Sequence, residues 1–148
     1  MTPVAYPSFD DLVRLYRSKV AVQSGEGLYV LLNRQGVESV LSFMRHDGYY
    51  PDFCSKLNHL VFSLCAGHFF SDGNKRIALV MGIDFLFRNG YRMQARHGMP
   101  RLEAIVYHVA AGHIDKPLLG RIIPCIVEMR DYDEELKLQL LHAIGSES

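Results

Sequence analysis

The chain carries the sequence HFFSDGNKRIALVMGIDFLF at residues 68–87. Its first part collects a histidine, an aspartate, a glycine, an asparagine and two adjacent cations. The part that follows is apolar on most sides, which predicts a buried helix from about Asn74 to Asn89. The polar cluster therefore lies where a loop enters this helix. A helix N terminus presents unpaired N–H groups and the positive end of the helix dipole, so the sequence predicts an anion site at this junction.

The residue types in this loop suit chemistry on a phosphate-bearing substrate. His68 is of the type that deprotonates a hydroxyl group at neutral pH. Asp72 is of the type that binds Mg²⁺, which commonly takes one or two protein carboxylates and completes its shell with phosphate and water. Gly73 lets the backbone approach an anion closely. The positive charges of Lys75 and Arg76 lie at the positive end of the helix dipole, which is unfavourable. A bound anion would offset this repulsion.

The rest of the chain shows helical rather than alternating periodicity, and we expect an all-α domain. The first helix is predicted to follow Ser8, with Asp11 as its capping-box partner. Further helices are predicted at about 35–44, 53–66, 100–111, 117–129 and 134–144. Pro100 is placed in the first turn of its helix, where a missing N–H costs nothing.

The segment at residues 46–51 reads His-Asp-Gly-Tyr-Tyr-Pro and is typical of a turn. Its pattern allows a short β-hairpin, which we interpret as a flap around Tyr49.

Composition limits the class of protein. The 148 residues predict a single domain spanning 1–148, and an apolar fraction of 49% with 22% charged residues is ordinary for a globular protein. The net charge of zero gives no broad basic field, so no direct nucleic-acid partner is expected. The three cysteines lack a CxxC spacing and predict reduced thiols in a cytoplasmic protein. The sequence contains no uncharged apolar run of about 18 residues, so no membrane span is expected. The N terminus lacks the pattern of a signal peptide.

The loop residues resemble the signature of the Fic/Doc superfamily, His-x-Phe-x-(Asp/Glu)-Gly-Asn-(Gly/Lys)-Arg. All seven defined positions match, at His68, Phe70, Asp72, Gly73, Asn74, Lys75 and Arg76. Adenylylating members of the superfamily usually have glycine at the position of Lys75 and a second arginine at the position of Leu79. Both differences resemble the death-on-curing (Doc) toxins of toxin–antitoxin systems. The resemblance covers most of residues 8–128, and a C-terminal tail at 131–148 extends past it.

This resemblance implies a compact helical bundle that transfers the γ-phosphate of ATP to a threonine of elongation factor Tu and so stops translation. It implies the following roles: His68 deprotonates the target hydroxyl, Asp72 binds Mg²⁺, Gly73 and Asn74 line the anion hole, and Lys75 and Arg76 hold phosphates. The flap around Tyr49 would grip an extended segment of the target by strand-like pairing. A small antitoxin, whose disordered C-terminal part folds into a groove on the toxin, would neutralise it.

Other readings stay open at this level. Fic domains also transfer AMP, UMP or phosphocholine, and the signature does not separate these reactions. An inactive binding module that uses the same groove is a hypothesis of a different class. The internal Fic-type inhibitory motif, (Ser/Thr)-x-x-x-Glu-(Gly/Asn), is not found, because Val22 stands at the hydroxyl position before Glu26-Gly27. An external inhibitor is therefore the expected form of control.

Overall fold

The computed structural model describes residues 3–21 and 30–145. The positions compared with the inhibitory motif, Val22 and Glu26-Gly27, lie outside this part of the chain. The described helices are α1 (Phe9–Leu15), continued by a π-helical turn (Tyr16–Val20), α2 (Arg34–Phe43), α3 (Phe53–Ala66), α4 (Asn74–Arg88), α5 (Arg92–Ala110), α6 (Lys116–Val127) and α7 (Glu134–Gly145). No strand occurs within the described ranges, so the predicted all-α bundle is confirmed.

Most helix starts follow from local capping. The hydroxyl of Ser8 accepts from the N–H of Asp11, and the Asp11 carboxylate accepts from the N–H of Ser8, which completes the predicted capping box. Asp52 and Ser55 form the same arrangement at the start of α3. Because these caps satisfy N–H groups that the helix leaves unpaired, they fix where α1 and α3 begin.

Helix α4 is the centre of the core and packs against α1, α3 and α5. Its fully buried side chains include Ile77, Met81 and Phe85. Gly82 marks the closest approach: a Cβ there would lie 2.9 Å from Val61 Cγ2 on α3 and 3.0 Å from Leu102 Cδ2 on α5. The glycine therefore sets the spacing of these three helices.

Helix α5 corrects the sequence prediction, because it begins at Arg92 rather than near Pro100. Gly90 takes a left-handed conformation (φ 87°), and the Tyr91 N–H then bonds to the carbonyl of Leu86, so a new helix starts at once. Pro100 lies inside the helix, where its ring removes the N–H that would bond to the Arg96 carbonyl. Arg96 is exposed, so water can solvate that carbonyl.

The prediction of a short β-hairpin at residues 46–51 is also wrong. The N–H groups of Tyr49 and Tyr50 both bond to the carbonyl of His46, which gives a tight turn without strand pairing. The Tyr50 ring stacks on His59 of α3, with 4.3 Å between ring centres. Aromatic packing against α3 therefore folds this segment back onto the bundle.

Lys56 of α3 is buried, with 2% of its surface exposed, which is unusual for a lysine. Its ammonium donates to the Met44 carbonyl at 3.0 Å and to Asp47 Oδ1 at 2.7 Å. Burial alone would lower the pKa of Lys56, but the hydrogen bonds to Asp47 and Tyr6 outweigh it and raise this pKa above its ordinary value. Lys56 therefore ties the turn at 46–51 to α3.

Candidate active site

The loop that joins α3 to α4 has an unusual backbone. His68 has a φ of 51° and Gly73 a φ of 79°, so both lie in the left-handed region. For glycine this conformation carries no steric penalty, whereas for a residue with a Cβ it costs about 1–2 kcal/mol. Gly73 is the N-cap of α4, and no side chain caps the helix there. The first N–H groups of α4 are therefore left for an external acceptor.

Asn74 holds the loop from the helix side. Its side-chain oxygen accepts from the Phe70 N–H at 3.1 Å, and its Nδ2 donates to the Phe70 carbonyl at 2.9 Å. Phe70 itself is buried, with 3% of its surface exposed. The amide of Asn74, expected to line an anion hole, is thus engaged in fixing the loop.

An extended segment holds the loop from the other side. The N–H of Leu32 donates to the Phe69 carbonyl at 2.7 Å, and the N–H of Ser71 donates to the Val30 carbonyl at 2.8 Å. Leu31 and Phe70 form an isolated antiparallel bridge between them. This pairing within the chain lies next to the polar loop and not at the turn near Tyr49, where a hairpin was predicted.

All six residues predicted for the site line one cleft of about 1230 Å³: His68, Asp72, Gly73, Asn74, Lys75 and Arg76. His68, Asp72, Lys75 and Arg76 are exposed. The loop thus presents a base, a carboxylate and two cations above a buried aromatic anchor.

The walls of this cleft include residues that carry no sequence motif. The first helix and its π-helical turn contribute Leu15 and Lys19, and α5 contributes Met99, Glu103, Val106, Tyr107 and Ala110. The α5 residues recur at the spacing of one helical face, which is the signal that identifies this wall. Because the predicted helix began at Pro100, it did not include Met99, the first residue of this helical face.

Lys75 reaches across the cleft toward α5. Its ammonium lies 5.2 Å from the centre of the Tyr107 ring, within range of a cation–π contact. Such a contact at an exposed site contributes about 0.5–1 kcal/mol, and a phosphate group would compete with it readily.

Asp72 has the chemistry of a Mg²⁺ ligand and a suitable position. Its Oδ1 accepts from the Gly73 N–H at 2.7 Å, so the carboxylate sits at the N terminus of α4. Among the residues the structure describes, no three His, Cys, Asp or Glu side chains are grouped to hold a metal ion by themselves. One carboxylate fits an ion that is held mostly by substrate phosphates and water.

Cys65 also lines the cleft but is not a nucleophile there. It is buried, and its Sγ donates to the Val106 carbonyl at 3.2 Å. Burial raises the pKa of the Cys65 thiol to about 11, so the thiolate form is scarce at neutral pH.

Comparison with known proteins assigns the chain to a family. The model of the Fic/DOC family matches residues 9–86, which include the polar loop and most of α4. The chain belongs to this family, whose members modify their substrates by transferring a nucleotide or a phosphate group. Neither the curated proteins nor the solved structures gave a match. In the part of the chain that the structure describes, no helix has both the length and the apolar character needed to cross a bilayer.

Proposed function

We propose that this protein is a Doc-like toxin, a Mg²⁺-dependent phosphotransferase that moves the γ-phosphate of ATP to a hydroxyl group of a translation factor. A threonine of elongation factor Tu is the proposed acceptor. The observation that carries the proposal is the convergence of His68, Asp72 and the uncapped start of α4 on one cleft. ATP and the translation machinery both imply a cytoplasmic protein.

In the proposed reaction His68 removes the proton from the acceptor hydroxyl, whose oxygen then bonds to the γ-phosphorus. The bond from this phosphorus to the bridging oxygen breaks, and ADP leaves. Mg²⁺, bound by Asp72 and the phosphates, would neutralise charge on the triphosphate. The first N–H groups of α4 and the cations of Lys75 and Arg76 would stabilise the same charge.

The extended segment at residues 30–33 of this protein offers a backbone edge next to the loop, where the target would bind. Val30 and Leu32 are 53% and 63% exposed, although their segment pairs with the loop on its other side. An extended segment of the target would add alongside residues 30–33 by main-chain hydrogen bonds and bring its hydroxyl to His68. This edge replaces the turn at Tyr49 in the proposal. Control by an external antitoxin remains part of it.

The test uses purified protein with ATP labelled at either the γ- or the α-phosphate and a cell extract as acceptor. We expect γ-label on one protein and loss of at least about 100-fold in His68→Ala, since positioned base catalysis contributes about 10²–10⁴. His97→Ala is the matched control, because His97 is exposed on α5 and outside the cleft. Full transfer by His68→Ala would refute the assigned base.

The two alternatives give different results in the same assay. Transfer of α-label establishes adenylylation, the second reaction that the family match allows. An inactive binding module transfers neither label but still arrests growth when it is expressed. The exposed apolar side chains of Phe87, Met99 and Tyr107 along the cleft are the feature that favours this last reading.

A further inference from the structure

Tyr16 lies outside the signature but contacts its loop twice. It is the first residue of the π-helical turn and is 5% exposed. Its ring stacks on Phe70, with 4.0 Å between ring centres and 18° between ring planes. Its hydroxyl donates to the carbonyl of Asp72 at 2.9 Å.

The second contact acts on the peptide unit between Asp72 and Gly73. This unit is planar, and in a trans peptide its C=O and N–H point in opposite directions. Fixing the Asp72 oxygen therefore also fixes the direction of the Gly73 N–H. That N–H lies beside the open start of α4 and bonds to the Asp72 carboxylate at 2.7 Å.

Most other contacts of the loop act on residues 69–71, and after Asp72 the Gly73 carbonyl accepts from the Ile77 N–H at 2.8 Å. Asn74 holds the backbone of Phe70, and the segment at 30–33 holds Phe69 and Ser71. In the sequence, Asp72 comes after the residues held by these hydrogen bonds and directly before Gly73. Gly73 is in the left-handed conformation, and the backbone of a glycine rotates more freely than that of other residues. The Tyr16 hydroxyl supplies the restraint at this point.

We infer that Tyr16 is a positioning residue that orients the Asp72–Gly73 peptide, so that the Gly73 N–H holds the Asp72 carboxylate at the open start of α4, where the phosphates of the substrate would bind. This inference rests on the proposed function. The packing role of Tyr16 needs only its ring, because the stack on Phe70 and its burial do not involve the hydroxyl.

Tyr16→Phe separates the two roles, since it keeps the ring and removes the hydroxyl. We expect kcat for label transfer to fall about tenfold, the equivalent of one hydrogen bond, with KM for the acceptor protein unchanged. We also expect the Gly73 amide of the full chain to exchange with solvent several-fold faster, measured by NMR. Tyr50→Phe is the matched control, because it removes the hydrogen bond from Lys116 at 3.0 Å and lies outside the cleft.

The outcomes are distinguishable. If the wild-type chain transfers neither label, the proposed function fails, and the Gly73 exchange rate still tests the restraint by Tyr16. Unchanged exchange in Tyr16→Phe overturns the inference. Faster exchange with an unchanged kcat also overturns it, since the hydroxyl would then stabilise the loop without serving the reaction.

Discussion

The left-handed backbone conformation of His68 is maintained by contacts of individual residues in and around its loop. Its left-handed backbone is unfavourable for a residue with a Cβ, yet the loop around it is held by Asn74, by Tyr16 and by the segment at 30–33. Strain of this kind persists where the surroundings over-determine the conformation, and it is concentrated at functional sites. The loop backbone around the histidine is therefore held in place, while the side chain itself is exposed to the cleft.

A second histidine gives a prediction about pH. His59 is 8% exposed, and its Nδ1 lies 3.0 Å from the Lys116 ammonium. Burial, followed by the charge of Lys116, lowers the pKa of His59 from 6.5 to about 4. The unfolded chain binds this proton more readily, so stability is complete above pH 6.5 and is lost as the pH falls toward 4.

We expect the free energy of unfolding to fall by about 2 kcal/mol from this group between pH 7 and pH 5. Urea unfolding at the two pH values measures it. His59→Gln keeps an acceptor for Lys116 but cannot titrate, so its loss over this interval is smaller than that of the wild type. His97→Gln, at an exposed site, serves as the control and retains the full loss. Equal losses in wild type and His59→Gln would show that His59 does not set this dependence.

At the scale of elements, α4 links the core to the site. Its N terminus forms one side of the cleft, and its middle is clamped between α3 and α5 at Gly82. A shift of α4 moves the loop that is attached to it, so packing far from the cleft controls the position of the catalytic groups.

Gly82→Leu tests this link. A Cβ there would already lie 2.9 Å from Val61 Cγ2 and 3.0 Å from Leu102 Cδ2, so these side chains or the helices that carry them would have to shift. Overpacking of this kind lowers the free energy of unfolding by about 1–3 kcal/mol. We expect this loss in denaturant unfolding, together with reduced label transfer. Gly145→Leu is the control, because nothing lies within 4 Å of a Cβ at Gly145. A Gly82→Leu protein as stable as the wild type would contradict the assigned packing.

At the scale of the whole molecule, the sequence predicts what depends on local pattern. The capping boxes at Ser8 and Asp52, the bounds of α3 and the loop entering α4 follow from neighbouring residues. Long-range packing was not predictable. Pro100 lies within α5, where its helix is fixed by packing on both sides, and Lys56 is buried by partners brought in from the turn before α3.

The cleft, too, is predictable from the sequence only in part. Its floor is the polar loop, a contiguous stretch whose chemistry can be read directly from the residue types. Its walls come from α5 and from the end of α1, which only the fold brings together. Tyr107 and Tyr16 belong to no motif, and their contacts with Lys75 and Phe70 join residues that are far apart in the sequence.

The central claim is that the start of α4 binds the phosphates of a nucleotide. Titration of Mg²⁺–ATP into ¹⁵N-labelled protein, followed by amide chemical shifts, tests it most directly. We expect saturable shifts at the amides of Gly73, Lys75 and Arg76, with smaller shifts along the α5 wall near Tyr107. Shifts confined to other regions, such as the groove between α6 and α7, with these three amides unmoved, would contradict it.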